Sequence, residues 1–504
     1  MHPVTWTLLS PFIGVLLIFA VPEQRTDWVR RIAAISSFIP LALTLYLFTQ
    51  YDRTAGGLPT GQAGYQFLHK IPWIHALGVS YQVGVDGINV VLLLLHTICG
   101  FTGVLISYRI RERVKEYYIF YLLLIAGVTG VFVSIDLFFF YLFYEMAVIP
   151  MFPLIGIWGS GEKAYATMKL TLYLTAGAVL ALIGLMILYM ASGVQTFDLI
   201  FLQRYLAQNP IPGNLQIFLF PFLLIGFGVI APMWPFHSWS PMGHAAAPAA
   251  VSMLHAGVLM KLGSYAILRL GIQLLPQGAY VWMPWVAGLC VMNMIYGGFV
   301  AMAQKDIKYT IGYSSSSHMG YVLLGLACLN PIALNGAVFL MFAHGIMTAL
   351  AFATVGHIYD QTHTRVTADW GGLAKQVPFI ATMFALAALA SSGLPGFGNF
   401  VAEMLIFFGS WNAYRLPAIA AVFGIVITAF YMLRAVRTGF FGPLNPRWEH
   451  LDDANTPFEK LPYLILLGAL VIVGCWPRLL TDVISTSTGS ILNHLAPLKT
   501  LAKL

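Results

Sequence analysis

Five residues have side chains out of keeping with their surroundings. Glu145 sits in FFFYLFYEMAVIPMFPLIGIW, Lys261 in VLMKLGSYAIL and Glu403 in FVAEMLIFF. His318 lies in YSSSSHMGYVLL and His344 in LMFAHGIMTALAF. A carboxylate or ammonium held among aliphatic and aromatic residues costs several kcal/mol unless it is paired or discharged. Burial disfavours the charged form of each group, which brings acids, amine and imidazoles toward a range where protons exchange. Simpler roles compete. Glu145 and Lys261 could serve only as ion-pair partners between helices, and His318 and His344 as hydrogen-bonding bridges. Two of His237, His244, His255, His318 and His344 could ligate a haem, a reading that leaves Lys261, Glu145 and Glu403 without a purpose. His237 and His244 are expected at an interface. The run Ser314–Ser317 fits a water-lined wall and interhelical hydrogen bonding equally.

The elements that position these groups follow from hydropathy. Of 504 residues, 59% are hydrophobic and 9% charged, with a mean hydropathy of +0.80. Apolar runs long enough to cross a bilayer recur along the chain, about fourteen of them. They are 4–21, 32–49, 88–107, 116–135, 137–157, 168–191, 215–234, 246–270, 281–303, 309–328, 332–358, 377–394, 416–436 and 461–477. Continuous runs mean helices, because a barrel would show short alternating segments. The expected fold is an all-α polytopic membrane protein, a single membrane domain over 1–504. Pro22-Glu23 follows the first run without a small-residue cleavage pattern, so that run reads as a retained span. The polar excursions 51–83 and 442–460 are too short for a core of their own.

Lysine and arginine set the orientation. Arg25, Arg30, Arg31, Arg109, Arg111, Arg113, Lys115, Lys305, Lys308, Arg365, Lys375, Arg434 and Arg437 fall on odd-numbered loops. Even-numbered loops hold only Arg53, Lys70, Arg204, Arg269 and Arg415. Odd loops are therefore expected in the cytoplasm, with both termini on the periplasmic side of a bacterial inner membrane. The net charge of +7 goes into this asymmetry, and nothing points to nucleic acid. Cys99, Cys290, Cys328 and Cys475 are isolated in apolar runs, so no metal site, cluster or disulfide framework is readable. No phosphate-binding glycine motif exists either.

Helical continuity fails twice inside the membrane. The stretch 231–248, APMWPFHSWSPMGHAAAP, carries Pro232 and Pro235, and 391–399, SSGLPGFGN, carries Pro395 with three glycines. Proline removes a backbone donor and clashes with the preceding turn, so such backbone must be buried in protein or line a cavity. Each break follows a helix that opens near an aspartate, Asp136 and then Asp306. That recurrence fits two inverted five-helix repeats, 116–270 and 281–440, with broken helices marking a transport path. Plain kinks in a helical bundle are the competing reading of the prolines.

In their order, these motifs resemble the proton-conducting antiporter-like membrane proteins shared by respiratory complex I and Mrp-type cation/proton antiporters. FFFYLFYEMAVIPMFPLIGIWG is similar to the fifth-helix motif with its proton-transferring glutamate, here Glu145. PFHSWSPMGHAAAPAAVSMLHAGVLMKLGSYAILR resembles the broken seventh helix and the eighth, with Lys261 as the central lysine. QKDIKYTIGYSSSSHMGYV and FAHGIMTALAF resemble the tenth and eleventh helices with His318 and His344. LPGFGNFVAEMLIFFGS resembles the second broken helix and places Glu403 at the end of the path. Glutamate there is the mark of the family's M-type chains, where L and N types carry lysine. The resemblance implies partnership with L- and N-type chains in the bilayer. It also implies that NADH, flavin, iron–sulfur clusters and quinone reside in other subunits, none bound by this chain. A cation/proton antiporter subunit, a hydrogenase- or ferredoxin-linked relative and a scaffold that has lost pumping are the alternatives. One departure stands out. The seventh-helix lysine that usually pairs with the glutamate is Ile230, and the aspartate of the following L-P-D-A-H pattern is Met242.

Overall fold

The computed structural model describes residues 2–54 and 64–495. Two helices, α1 (Pro3–Ala20) and α2 (Thr26–Gln50), lead into an antiparallel hairpin, β1 (Gln66–Ile74) and β2 (Val79–Val85). Then come α3 (Asn89–Ile106), α4 (Val114–Val133), α5 (Leu137–Val148), α6 (Met151–Trp158), α7 (Lys163–Ala191), α8 (Leu199–Gln208) and α9 (Gly213–Ile230). A break at 231–238 precedes α10 (Trp239–Ala246) and α11 (Ala249–Leu254), and a π turn joins α11 to α12 (Met260–Ala266). The chain continues through α13 (Pro276–Ala303), α14 (Ile307–Ala327), α15 (Pro331–Thr362), the short α16 (Thr367–Trp370) and α17 (Pro378–Ser391). After a second break at 392–397 come α18 (Gly398–Ala413), α19 (Arg415–Phe440), α20 (Pro457–Cys475) and α21 (Arg478–Leu495).

Among the described residues, twelve helices are long and apolar enough to cross a membrane. Two of the expected runs fall outside that set for physical reasons. α14 is a full-length helix whose serines lower its hydropathy, and α17 stops at the second break. The run 137–157 is one crossing bent at Ile149–Pro150, where proline cannot extend the ladder. Apolar composition says nothing about depth within the bundle, but packing does. Only 28% of the most apolar stretch of α20 is buried, whereas the corresponding stretches of the span Ala249–Ile272 and of α15 are buried throughout. The two most enclosed helical spans carry Lys261 and His344.

Loops alternate between two faces. Arg30, Arg109, Arg111, Lys308 and Asp360 converge on one, around a cavity of about 1090 Å³. On the opposite face Lys70 of the hairpin meets Asp198 at 2.6 Å, and α21 packs with Ser487 accepting from the N–H of Gly87. Hairpin and α21 both escaped sequence reading. The hairpin lies almost wholly in the polar excursion 51–83, of which 55–63 falls outside the described residues, and ends at Val85, while α21 is rich in serine and threonine. Two residues read as loop cations are buried instead. Arg269 is 2% exposed, paired with Asp86 and sandwiched by Tyr65 and Tyr265. Lys308, also 2% exposed, donates to the carbonyl of Ala247 at 2.9 Å.

Candidate functional site

Lys261 is held between two π turns, His255–Leu259 and Ile267–Ile272. Such turns widen the helix and displace its carbonyls, and they recur where a helix does chemistry. Here the Lys261 amine donates to the Ala256 carbonyl at 2.5 Å and reaches His344 Nδ1 at 2.9 Å. Across α15 the His344 Nε2 meets Thr348 Oγ1 at 3.1 Å. The His344 and His318 rings stack with centroids 4.9 Å apart. His318 Nδ1 lies 2.8 Å from the Ser314 carbonyl, so it carries the hydrogen, and Nε2 points at Glu403 Oε1, 3.7 Å away. That last gap is within ion-pair range and beyond a good hydrogen bond. Lys261, His318 and His344 are 0% exposed and Glu403 is 1% exposed. Four titratable groups from α12, α15, α14 and α18 thus form one continuous buried series.

The second break makes room for its end. Gly393 has φ +71°, and a Cβ there would stand 2.8 Å from Glu403 Oε2. Both carboxyl oxygens of Glu403, both amide atoms of Asn399 and the Ser391 hydroxyl are buried without a hydrogen-bond partner among the described residues. A buried polar cluster of this kind is satisfied by water. Pro395 lies in the same break, where its missing N–H interrupts no ladder.

The first break is closed by protein. Pro232 and Pro235 occupy the unwound segment, and Asn293 of α13 reaches into it. Its side chain accepts from the Trp234 N–H at 2.7 Å and donates to the carbonyls of Pro232 at 2.9 Å and Ser316 at 3.1 Å. Sequence reasoning missed Asn293, although a lone asparagine in an apolar span was a readable signal. His237 and His244, expected at an interface, are buried, 7% and 0% exposed. The unwound segment folds inward against α14 because its free backbone groups need partners there. The serines act mainly as helix contacts. Ser317 donates to the Met294 carbonyl, Ser314 accepts from Tyr431, and Ser315 and Ser316 bond back to their own helix.

Glu145 stands apart from this series. It is half-buried on α5, next to the exposed Leu142 and Ile149, and accepts a 2.6 Å hydrogen bond from Tyr141 of its own helix. Among the described residues no cation pairs with it, and Ile230, where the resemblance led us to expect a lysine, is fully buried. At the basic face Asp306 caps α14 and binds Arg365 at 2.9 Å; burial pushes its carboxyl up from the ordinary value while the guanidinium pulls it down. His318 stacks on His344, and His244 meets His255 at 4.4 Å between centroids, so each of these two pairs is in direct ring contact.

Broken helices around a buried titratable series define a class: polytopic membrane subunits of the antiporter-like kind. Residues 134–428 match the family model described as NADH:quinone oxidoreductase/Mrp antiporter, TM. The chain belongs to this family. It is 36% identical to NADH-quinone oxidoreductase subunit M of Rhodobacter capsulatus, over 95% of this chain and 93% of that one. The subunit M of Rickettsia typhi is 34% identical over 96% and 98%. Among solved structures, a chain of respiratory complex I from Thermus thermophilus superposes with a TM-score of 0.87 at 26% identity, covering 98% of this chain and 99% of that one. A chain of the Mrp complex from Dietzia sp. shares the fold, TM-score 0.83 at 19% identity, with full coverage of both.

Proposed function

We propose that this chain is the M-type membrane subunit of a proton-translocating NADH:quinone oxidoreductase. The observation that carries the reading is the unbroken buried series Lys261, His344, His318, Glu403. Each member can hold or release a proton, and each is adjacent to the next. A proton delivered to Lys261 passes to His344 and His318 and leaves by way of Glu403 beyond the second break. NADH oxidation and quinone reduction, with their flavin and iron–sulfur groups, belong to other subunits. L- and N-type chains are the expected neighbours in the bilayer. Glu145, half-exposed on α5, is placed where its charge can couple this series to such a neighbour. A charge change at one such site alters the cost of protonating the next, about 1.4 kcal/mol for each unit of pKa.

The same reading takes 116–270 and 281–440 as inverted repeats. Its support is a shared device at opposite faces. Asp136 and Asp306 each cap a helix, and each helix's first N–H donates at 2.9 Å to an incoming segment, at Phe197 and at Arg365. The basic face is assigned to the cytoplasm of a bacterial inner membrane, leaving both termini periplasmic. Cysteine labels at Arg111 should then react only from the cytoplasm and at Arg415 only from the periplasm; labelling of both from one side would refute the alternation.

The functional test uses the intact complex in vesicles, reading proton uptake per electron transferred. Lys261→Ala and Glu403→Gln should each assemble and lose most of that uptake. Normal uptake by both would remove the series from the pathway. A cation/proton antiporter subunit is the second reading, supported by the family description, which covers Mrp antiporters, and by the fold shared with the Dietzia Mrp chain. Ion exchange without any redox partner would select it.

A further inference from the structure

One buried cation takes no part in the proposed series. Arg269 stands eight residues beyond Lys261 on the same helical span, within the π turn Ile267–Ile272. At an ordinary helical rise that is about 12 Å along the axis. Its side chain and that of Asp86 are each 3% exposed, and the two are paired. Both ends of the hairpin enclose the guanidinium. Tyr65, just before β1, has its ring centre 5.6 Å from the guanidinium carbon, and Asp86 follows directly on β2. Tyr265 covers it from its own helix at 5.4 Å.

The pair is not electrically closed. Asp86 Oδ1 also accepts from the N–H groups of Ile88 and Asn89, at 3.1 and 2.9 Å, where α3 begins. One carboxylate therefore serves both a guanidinium and the positive end of a helix, which leaves a net positive potential at the site. An arginine keeps its proton in a protein, so this charge is permanent.

Polar groups surround it that only water can satisfy. Arg269 Nε, the Tyr65 hydroxyl and both amide atoms of Gln203 are buried without a hydrogen-bond partner among the described residues, although Tyr65 and Gln203 are close to each other. The cluster belongs to the face opposite the basic cavity. Gln203 is on α8, whose capping Asp198 binds Lys70, and Gly87 beside Asp86 bonds Ser487 of α21. On the inner side Ser264, one turn from Lys261, also has a buried hydroxyl with no partner among the described residues. Water held along this side of the helix would give a proton on Lys261 a direct way out that bypasses His344, and outside protons a way in.

We propose that Arg269 is an electrostatic barrier against proton leakage, whose fixed charge keeps Lys261 from exchanging protons directly with the face opposite the basic cavity. The inference rests on the proposed role of Lys261. A fixed cation repels protonated water and leaves neutral water in place. Asp86 holds the guanidinium across the way and offsets the cost of burying it. The hairpin, by supplying Tyr65 and Asp86, is part of the barrier.

The test uses the intact complex in vesicles without an electron donor and follows the decay of an imposed pH difference. Arg269→Gln should speed that decay several-fold and, once turnover is started, lower net proton uptake per electron while electron transfer continues. Asp86→Asn breaks the ion pair but keeps the cation, so it should hold the gradient as the parent does. Arg269→Gln combined with Asp86→Asn leaves no buried charge and should leak like Arg269→Gln alone. An ion pair that only supports the fold predicts equal leakage from the two single variants, and that result overturns the proposal. So does a tight gradient in both variants that lack Arg269. Failure of the uncharged double variant to assemble on a native gel overturns it too, because the pair is then a folding element. Lys261→Ala added to Arg269→Gln should close the leak, and a leak that persists shows that the route does not reach Lys261. Normal redox-driven uptake by Lys261→Ala alone would instead overturn the underlying function, so the two failures are told apart.

Discussion

Two helix-capping aspartates, Asp136 and Asp306, open two stretches of the chain that each carry a membrane acid, and the two acids sit in different surroundings. In the first, the acid on the membrane helix, Glu145, is half-buried and, among the described residues, bonded to Tyr141 and to no cation. In the second, Glu403 is enclosed, faces His318 and has a cluster of unpartnered polar atoms around it. The breaks differ in the same sense. Asn293 closes the first by bonding its free backbone, while Asn399 beside the second bonds no protein atom. A closed break is a structural element, and an open polar one can hold water and conduct. Similar sequence devices therefore end in different surroundings, because different side chains pack against them.

The largest effect that could break this contrast is at the two acids. Glu403→Gln should remove most proton uptake by the complex, and Glu145→Gln should reduce it less, since the proposed path runs through the enclosed series. Equal loss in vesicle assays of both variants would make the halves equivalent. Next comes Gly393→Ala. The left-handed backbone alone costs about 1–3 kcal/mol in a residue with a Cβ. The added methyl would also displace the Glu403 carboxylate, so uptake should fall with the thermal inactivation temperature of the complex; unchanged uptake would show that the carboxylate position is not critical.

Asn293→Leu sharpens the comparison of the breaks. It leaves the Trp234 N–H and Pro232 carbonyl without their partner, at about 1–3 kcal/mol. Asn399→Leu should be milder in the same inactivation assay, because no protein bond is lost. A reversed order would mean that the second break is the closed one. The smallest effects test the similarity. Asp136→Ala and Asp306→Ala each remove a helix cap worth about 0.5–2 kcal/mol, and limited proteolysis at the two faces should detect comparable loosening. A clear loss at only one face would deny that the caps are equivalent.

Much of this architecture was legible in the sequence. Hydropathy alone determined the membrane class, the positions of the crossings and the alternation of basic loops, because bilayer thickness and backbone satisfaction leave few options. Prolines located both breaks, and isolated charges in apolar runs named Glu145, Lys261 and Glu403. Tertiary structure decided what those residues meet. Periodicity cannot tell that α15 is enclosed while α20 faces outward, since a bilayer is as apolar as a protein core. It also cannot tell that Arg269 and Lys308, read as loop cations, are buried, or that His244 turns inward to meet His255. Those facts depend on which helix lies beside which, a relation between residues far apart in the chain. A charge is recognisable from its own neighbours in sequence; its partner is chosen only when the helices pack.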